Sequence, residues 1–319
     1  MDDIVNFYTL GKFYKKSNKN IQLNKNINKI TNVYQLKCVN GCSTGLGDYI
    51  RGCIYFAQLA DLLDIEFTMD INNHPISKFL INKNNKTIDY DNLMKQKFFM
   101  ATWDNYDMNV DDIKLNKAML ENSIALLNFY NTDKMDNVAL HTSNFPFTKN
   151  IKQEYKDYIK SYFLPNEILT KHITNIFEQL MIEENKYNAI HLRCNDMYFN
   201  DNPIDENAFN KLINFAINII NTKTEMPILI VSNNNLIKKK LKQLYPNIRM
   251  IDEYIAHVGG DGIEISPMKD DASIITTLTD FFSLIYANHI DIASTFPHGS
   301  GFSMWGRVLY NKSYNMVII

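Results

Sequence analysis

The chain has 319 residues, of which 45% are hydrophobic and 21% charged, and its formal net charge at pH 7 is −2. This length allows one large or two ordinary domains, and the near-zero charge gives no molecule-wide attraction for nucleic acid or an anionic membrane. No apolar run reaches about 20 residues, the length that spans a bilayer, and the first residues, MDDIVNFYTLGKFYKK, lack the apolar core of a secretory signal. We therefore expect a cytoplasmic protein with no transmembrane segment and no nucleic-acid partner.

The cysteines do not form a zinc-binding pattern. Cys38 and Cys42 are close in sequence, but no C-x-x-C pair and no downstream Cys/His pair completes a site. Together with Cys53 and Cys194 they are expected to be reduced, mostly buried thiols, as is usual in the cytoplasm. The sequence predicts no bound metal.

The first half begins with a polar, Asn- and Lys-rich stretch of about thirty residues, which we interpret as an irregular lead-in. NVYQLKCV then predicts a strand, NGCSTGLG a glycine-bearing turn, DYIRGCIYFAQLADLL a buried helix and IEFTMDI a second strand. Residues 33–71 are therefore predicted to form a β-loop-α-β unit. Residues 72–150 alternate polar loops with short apolar pieces such as KQKFFMATW and NVALHTSNF, and no role is assigned to them.

The second half alternates strands and helices regularly. After a helical stretch interrupted at Pro165, the predicted strands are YNAIHLRC, MPILIVSNN, IRMID and IDIAST, and the predicted helices are NAFNKLINFAINIINT, LIKKKLKQLYP, SIITTLTDFFSLIYANH and SGFSMWGRVLYNK. Such alternation is typical of a parallel, doubly wound sheet. The fold class is thus α/β, with two domains facing a cleft and a boundary between residues 150 and 165.

The strand that contains AIHLRC points two polar side chains the same way. His191 and Arg193 are two residues apart, so they share one face of the strand. They also stand at its carboxyl end, where open parallel sheets bind ligands. The arginine fork suits a phosphate or a carboxylate. The alternative is a salt bridge from Arg193 to a neighbouring helix, with His191 capping a loop.

A second candidate site is the start of the last predicted helix. Ser300 and Gly301 precede it, and the free N–H groups and dipole of such a start attract an anion. Ser303 could add a hydroxyl. The alternative is that Ser300 is an ordinary N-cap residue.

Two further features are weaker. Gly45-Leu46-Gly47 allows a backbone to approach a ligand closely, but Ile50 stands where a G-x-G-x-x-G motif needs its third glycine, so a tight turn is the alternative. Asp280 precedes the apolar stretch FFSLIY. It is either a charge in the first turn of a helix or a carboxylate that accepts two hydrogen bonds from a base edge such as that of guanine.

Taken in order, these segments resemble the two-domain glycosyltransferases of the fucosyltransferase superfamily, which includes α1,2-, α1,6- and protein O-fucosyltransferases. The matching segments are GLGD before a helix, HLRCND after a strand, SNN, TDFFSLIYANH and SGFS. They cover residues 38–70 and most of the second half. The resemblance implies a GT-B architecture of two Rossmann-like domains: residues 1–155 on the acceptor side and residues 156–319 on the nucleotide-sugar side.

The resemblance also implies roles for individual residues. Arg193 is the expected catalytic residue, stabilising the leaving diphosphate, and His191 and Asp280 are expected to hold the guanine or ribose. The other residues expected to bind the donor are Ser300, Gly301, Phe302 and Ser303 at the diphosphate, Ser232 and Asn233 at the ribose, and Gly45, Leu46, Gly47 and Asp48 from the opposite domain.

Three positions depart from the family pattern. Cys194 and Asn195 replace the usual Arg-Gly, and Asp48 replaces a frequent asparagine. An inserted PHG leaves two segments, STF at residues 294–296 and SGF at residues 300–302, as candidates for the family's serine-rich segment. We favour the second because a helix follows it.

The implied reaction is the inverting transfer of L-fucose from GDP-fucose to a glycan or protein hydroxyl without a metal; no D-x-D motif lies near a predicted donor strand. The general base stays open among Asp48, Glu264 and His257. The loop HVGGDGIEISPMKDD is predicted to close over donor or acceptor. The alternatives are a transferase for another nucleotide sugar and a non-catalytic binding relative, which the missing second arginine would favour.

Overall fold

The computed structural model describes residues 22–34, 37–38, 41–42, 44–81, 112–131, 136–223, 225–259, 270–296 and 299–319. Most of the predicted lead-in, the segment KQKFFMATW and most of the loop HVGGDGIEISPMKDD lie outside these residues. Within the described part, the chain forms two separate parallel sheets with helices packed on them. The predicted α/β class is confirmed.

The first sheet has three parallel strands. β1 (Lys29–Val33) is central, between β4 (Glu66–Asp70) and β5 (Asn137–Leu140). The strand predicted over NVYQLKCV is wrong in its position, because the pairing segment begins earlier and ends at Val33. Two-residue strands β2 (Lys37–Cys38) and β3 (Gly41–Cys42) pair only with each other, as a short antiparallel ladder.

Helix α1 (Leu46–Leu63) covers this sheet and confirms the predicted helix. Its side chains from Leu46 to Ala60 are almost all buried, and it ends at Asp64, which adopts a left-handed conformation with φ 54°. A short 3₁₀ segment (Pro75–Phe79) and helix α2 (Asp112–Tyr130) precede β5. Helices α3 (Gln153–Lys160) and α4 (Glu167–Leu180) follow, on either side of Pro165.

The second sheet has five parallel strands: β6 (Asn188–Arg193), β7 (Ile228–Ser232), β8 (Arg249–Met250), β9 (His289–Ser294) and β10 (Tyr314–Ile318). Their order across the sheet is β10-β9-β6-β7-β8. The helices between them are α5 (Glu206–Thr222), α6 (Asn235–Leu244), α7 (Asp271–Tyr286) and α8 (Gly301–Leu309). Strand β10 was not predicted. It extends the sheet beyond β9 by parallel pairing.

Asp280 lies in the middle of α7, and its interpretation as a charge in the first turn of a helix is wrong. The helix begins nine residues earlier at Asp271, and the Asp270 side chain caps it by accepting a hydrogen bond from the Ser273 amide at 2.7 Å. The helix predicted over SIITTLTDFFSLIYANH begins at Ser273, two residues after the observed start, so the position of Asp280 within the helix agrees with that prediction.

The largest hydrophobic cluster joins the two halves. It combines α1 side chains such as Tyr49 with Phe281 and Phe282 of α7 and Trp305 of α8. The carboxyl end of β6 lies near this junction, because Arg193 lines the same cleft as Leu46 of α1 and Trp305 of α8. The division between residues 155 and 156 stays a prediction; it falls within α3. No helix in the described part of the chain is long and apolar enough to cross a membrane.

Candidate active site

A cleft of about 580 Å³ lies where the start of α1, the carboxyl ends of β6 and β7 and the start of α8 meet. All of the residues predicted to bind the donor line this cleft except Ser303, which lies behind His191. Those lining it are Gly45, Leu46, Gly47, Asp48, His191, Arg193, Ser232, Asn233, Asp280, Ser300, Gly301 and Phe302. The fold therefore brings together residues that are up to about 260 positions apart in the chain.

Strand β6 presents alternate side chains to the cleft and to the core. His191 and Arg193 line the cleft, whereas Leu192 and Cys194 are fully buried in the hydrophobic cluster beneath the sheet. Position 194, where the family carries a second arginine, thus faces apolar side chains here.

His191 is a neutral, buried member of the site. Its Nδ1 is 2.9 Å from the hydroxyl oxygen of Ser303, and only 3% of the residue is exposed. Burial, reinforced by the positive charge of Arg193, lowers its pKa to about 3. The ring therefore offers the cleft a hydrogen-bonding group without a charge.

Arg193 is held in place by its own strand end. Its Nη1 donates to the Cys194 carbonyl at 2.9 Å, and its Nη2 donates to the Asp196 carboxylate. The guanidinium carbon lies 4.9 Å from the centre of the Phe296 ring and 5.8 Å from that of Phe199. The ion-pair partner is thus a residue three positions away, not one on a neighbouring helix. The group remains part of the cleft wall in a fixed orientation.

Asp196 is a site residue to which the sequence analysis gave no role. It accepts from Arg193, and its Oδ1 is 3.7 Å from Nε2 of His257, which also lines the cleft. Its place at the end of the matching segment HLRCND was the signal that could have identified it. Asn195, which replaces the glycine expected from the resemblance, accepts from the Met197 amide and caps a single 3₁₀ turn, Asp196–Tyr198.

Ser300 occupies the N-cap position of α8, but its side chain makes no capping hydrogen bond. Its hydroxyl is buried in the cleft wall and has no hydrogen-bond partner among the described residues. The first N–H groups of α8 lack intrahelical acceptors, as at every helix start. An unpaired hydroxyl and free amides at the positive end of a helix dipole form a ready anion site.

The start of α1 meets the start of α8. Gly45 is the N-cap of α1 and Gly47 lies in its first turn, and a Cβ atom on Gly47 would overlap the backbone carbonyl of Gly301. Asp48 forms an ion pair with Arg51 at 3.0 Å between its Oδ1 and the arginine Nη1. Two helix N-termini therefore converge on one cleft from the two halves of the chain.

Asp280 is buried at the far side of the cleft. Burial raises its pKa to about 7, although the nearby charge of Lys238 acts in the opposite direction. Lys238 is also buried and donates to the Ile251 carbonyl at 2.7 Å. Within the described part of the protein no hydrogen bond is made to the Asp280 carboxyl, which leaves its oxygens available to donors from a ligand.

Ser232 and Asn233 line the cleft but use their side chains to hold the end of β6. The Ser232 hydroxyl donates to the Leu192 carbonyl at 2.7 Å. The Asn233 amide accepts from the Cys194 N–H at 2.8 Å and donates to the Cys194 carbonyl at 3.1 Å. Their predicted contact with a ribose stays a prediction.

Two of the three candidates for a general base, Asp48 and His257, line the cleft. The third, Glu264, lies outside the described residues. Within the described residues there is no group of three or more His, Cys, Asp and Glu side chains that could hold a metal ion.

No protein-family model and no curated protein sequence matches the chain. Solved structures do. The fucosyltransferase NodZ from Bradyrhizobium is 12% identical with a TM-score of 0.50, over 89% of this chain and 93% of NodZ. NodZ α1,6-fucosyltransferase co-crystallised with GDP is 11% identical with a TM-score of 0.51, over 89% and 92%. A FUT1 variant from Arabidopsis thaliana in complex with GDP is 11% identical with a TM-score of 0.52, over 97% and 74%. The chain therefore has the two-domain GT-B fold of these fucosyltransferases.

Proposed function

We propose that the protein is an inverting glycosyltransferase that moves L-fucose from GDP-fucose to a hydroxyl group of a glycan or protein without a metal. One observation carries this proposal: a fixed arginine, a helix start and a buried carboxyl share one cleft in a fucosyltransferase-like fold, and none of the described residues donates a hydrogen bond to that carboxyl. Each of these three features matches one part of a guanosine diphosphate sugar, and two of the similar structures hold GDP.

The diphosphate would lie between Arg193 and the start of α8. Negative charge grows on the departing diphosphate during transfer, and groups already aimed at that charge lower the barrier. Arg193 is oriented by Asp196 and the Cys194 carbonyl, and Ser300 and Gly301 offer a hydroxyl and amide groups. These groups supply the positive potential that the proposed mechanism requires, so it uses no metal.

The base would lie against Asp280. Guanine presents N1–H and N2–H on one edge, and a single ionised carboxylate can accept from both. Asp280 is buried, and no hydrogen bond to it is found in the described residues, so a guanine would supply the missing donors. The residues Gly45 to Asp48 would approach the sugar and diphosphate from the other side of the cleft.

The test combines binding and turnover. The protein is titrated with GDP and ADP, then incubated with GDP-fucose, with and without EDTA, over a glycan array. We expect GDP to bind more tightly than ADP, and fucose transfer to continue in EDTA. Complete loss of transfer in EDTA would contradict metal independence.

The two alternatives predict other outcomes. A transferase for another sugar would prefer a different donor when a panel of nucleotide sugars is compared, and preference for a UDP-sugar would overturn the guanine assignment. A non-catalytic relative would bind GDP and release none from GDP-fucose. The core-facing position of Cys194 gives that second alternative less support than the sequence did.

A further inference from the structure

A segment without helix or strand, residues 255–259, is held by side chains from both halves of the chain. The Asn200 side chain accepts a hydrogen bond from the Ile255 amide at 3.2 Å and donates one to the Ile255 carbonyl at 3.2 Å. The Thr277 hydroxyl accepts from the Ala256 amide at 2.8 Å and donates to the Ala256 carbonyl at 2.9 Å. The backbone just before His257 is therefore fixed by two side chains.

The backbone just after His257 is fixed from the other half. The Val258 carbonyl accepts from Nε2 of His74 at 2.8 Å and from the Tyr34 hydroxyl at 3.2 Å. Both rings are buried and stack on each other with centres 3.9 Å apart. An irregular segment normally satisfies its backbone with water at the surface. Here that backbone is held in the cleft wall, which is how a fold fixes a side chain used in chemistry.

His257 projects from this segment into the cleft with a defined tautomer. Its Nδ1 lies 3.1 Å from the Gly259 carbonyl oxygen. A carbonyl oxygen only accepts, so Nδ1 carries the hydrogen. The neutral ring then presents an unprotonated Nε2, which lies 3.7 Å from Oδ1 of Asp196. The edge of the ring packs against Phe199, with centres 5.5 Å apart.

Asp48, the other described candidate for a general base, is committed to an ion pair. Its carboxylate lies 3.0 Å from the Arg51 guanidinium, and Arg51 is almost completely buried. Protonating Asp48 would break this ion pair with a buried cation, which is unfavourable. His257 has the opposite electrostatics, since a proton gained at Nε2 creates a cation next to the Asp196 carboxylate.

From this geometry we propose that His257 accepts the proton of the acceptor hydroxyl, a role that rests on the proposed fucose transfer. The acceptor oxygen forms a bond to C1 of fucose while its hydrogen moves to Nε2. The bond from C1 to the β-phosphate oxygen breaks, and its electron pair leaves with GDP. Asp196 stabilises the resulting imidazolium and remains paired with Arg193, which faces the departing phosphate. His257 later returns the proton to water.

The experiment uses two substitutions of His257. His257→Gln keeps the size of the side chain and removes its basic nitrogen, and His257→Gly leaves space for free imidazole. We expect His257→Gln to lower kcat for fucose transfer by about 10²- to 10⁴-fold, the usual contribution of a general base. The dissociation constant for GDP should change by less than about threefold, because the proposed role of His257 concerns the acceptor hydroxyl and not the binding of the nucleotide. Added imidazole should raise the rate of the glycine variant in proportion to its concentration, which a purely structural role would not produce.

The matched control is His289→Gln. His289 also has a carboxylate beside its Nε2, that of Asp291 at 3.4 Å, but it is the first residue of strand β9 and does not line the cleft. This variant should transfer fucose at the rate of the unsubstituted protein. The role of His257 would be overturned if His257→Gln left kcat unchanged, or if imidazole did not raise the rate of His257→Gly. Either result would leave the proposed fucose transfer standing. An unsubstituted protein that moves fucose neither to water nor to any arrayed glycan would overturn the proposed transfer as well.

Discussion

Gly47 of α1 and Gly301 of α8 meet backbone to backbone across the two halves of the protein. The space beside the Gly47 Cα is filled by the carbonyl group of Gly301 and the amide of Phe302. The contact brings the positive ends of two helix dipoles to the same cleft. It therefore couples the packing of the two halves to the proposed diphosphate site.

Gly47→Ala should destabilise the protein by about 1–3 kcal/mol, the usual cost of inserting a methyl group into filled space. The overlap is with backbone atoms, so no side-chain rotation relieves it. Urea unfolding measures the change. Gly45→Ala is the matched control for stability, since nothing lies within 4 Å of a Cβ at that position and its φ is −61°. Equal unfolding midpoints for both variants would show that the two helix starts are not in contact.

Arg193→Ala should lower kcat/KM for GDP-fucose by about 10²- to 10³-fold, as the loss of one preorganised group facing a developing anion does. Arg193→Lys should recover little, because an ammonium group cannot hold Asp196 and the Cys194 carbonyl and still present a planar fork. Initial rates measured at several donor concentrations separate the effects on kcat and KM.

Arg249→Ala is the control for the loss of an arginine. Arg249 donates to the carbonyls of Leu180 and Asn247, each at 2.7 Å, and it does not line the cleft. A near-normal rate for Arg193→Ala would remove Arg193 from the mechanism.

GDP binding should weaken as the pH falls below about 7, because burial raises the pKa of Asp280 to that value and only the ionised carboxylate accepts from guanine. Above the pKa the affinity should be constant, and well below it the affinity should fall about tenfold per pH unit.

The raised pKa of Asp280 also affects the stability of the folded protein. The raised pKa means that the folded protein binds the proton more tightly, so this stabilisation is present at low pH and is lost between the ordinary pKa of 3.8 and about 7.

Titration calorimetry over a range of pH tests this prediction. The terminal phosphate of GDP also titrates, near pH 6 by analogy with other phosphate groups, and Asp280→Asn corrects for it because the variant binds the same ligand. The difference between the two proteins should isolate the carboxyl group. If both proteins show the same pH dependence, Asp280 does not contact the base.

Ser300 and Ser303 should respond oppositely to replacement by alanine. The Ser300 hydroxyl is buried without a partner in the described structure, so Ser300→Ala should raise the free energy of unfolding by about 1 kcal/mol and weaken GDP binding up to about tenfold. Ser303 is hydrogen-bonded to the buried His191 at 2.9 Å, so Ser303→Ala should lower stability by a similar amount. Thermal unfolding with and without GDP checks both. A destabilised Ser300→Ala protein would mean that its hydroxyl is already satisfied without ligand.

The features that the sequence predicted best depend on local geometry. The period of two in a strand sends His191 and Arg193 to one face, and the parallel alternation puts their strand end at a ligand-binding edge. The order of motifs along the chain then indicated the other residues predicted to bind the donor, of which all except Ser303 line the cleft. The fold class and part of the cleft wall could therefore be predicted from the sequence, whereas the roles of these residues stay predictions.

The features that were missed depend on distant parts of the chain. The role of Asp196 depends on its meeting His257, which is 61 positions away. Asp280 was interpreted from the apolar stretch FFSLIY that follows it, although α7 begins nine residues earlier. Strand β10 is only partly buried and exposes Val317 and Ile318. Its sequence therefore carries no strong alternation, and pairing with β9 determines its structure.

The hydrogen bonds to the Val258 carbonyl make the structure of the second half depend on residues of the first half. Residues 156–319, expressed alone, would contain Arg193, Asp280 and the start of α8, but they would lack both Tyr34 and His74. The isolated piece would keep most of its proposed nucleotide contacts and lose the support of the segment that carries His257. Replacing the first half by another sequence would therefore preserve this segment only when the incoming half supplies equivalent donors to the Val258 carbonyl.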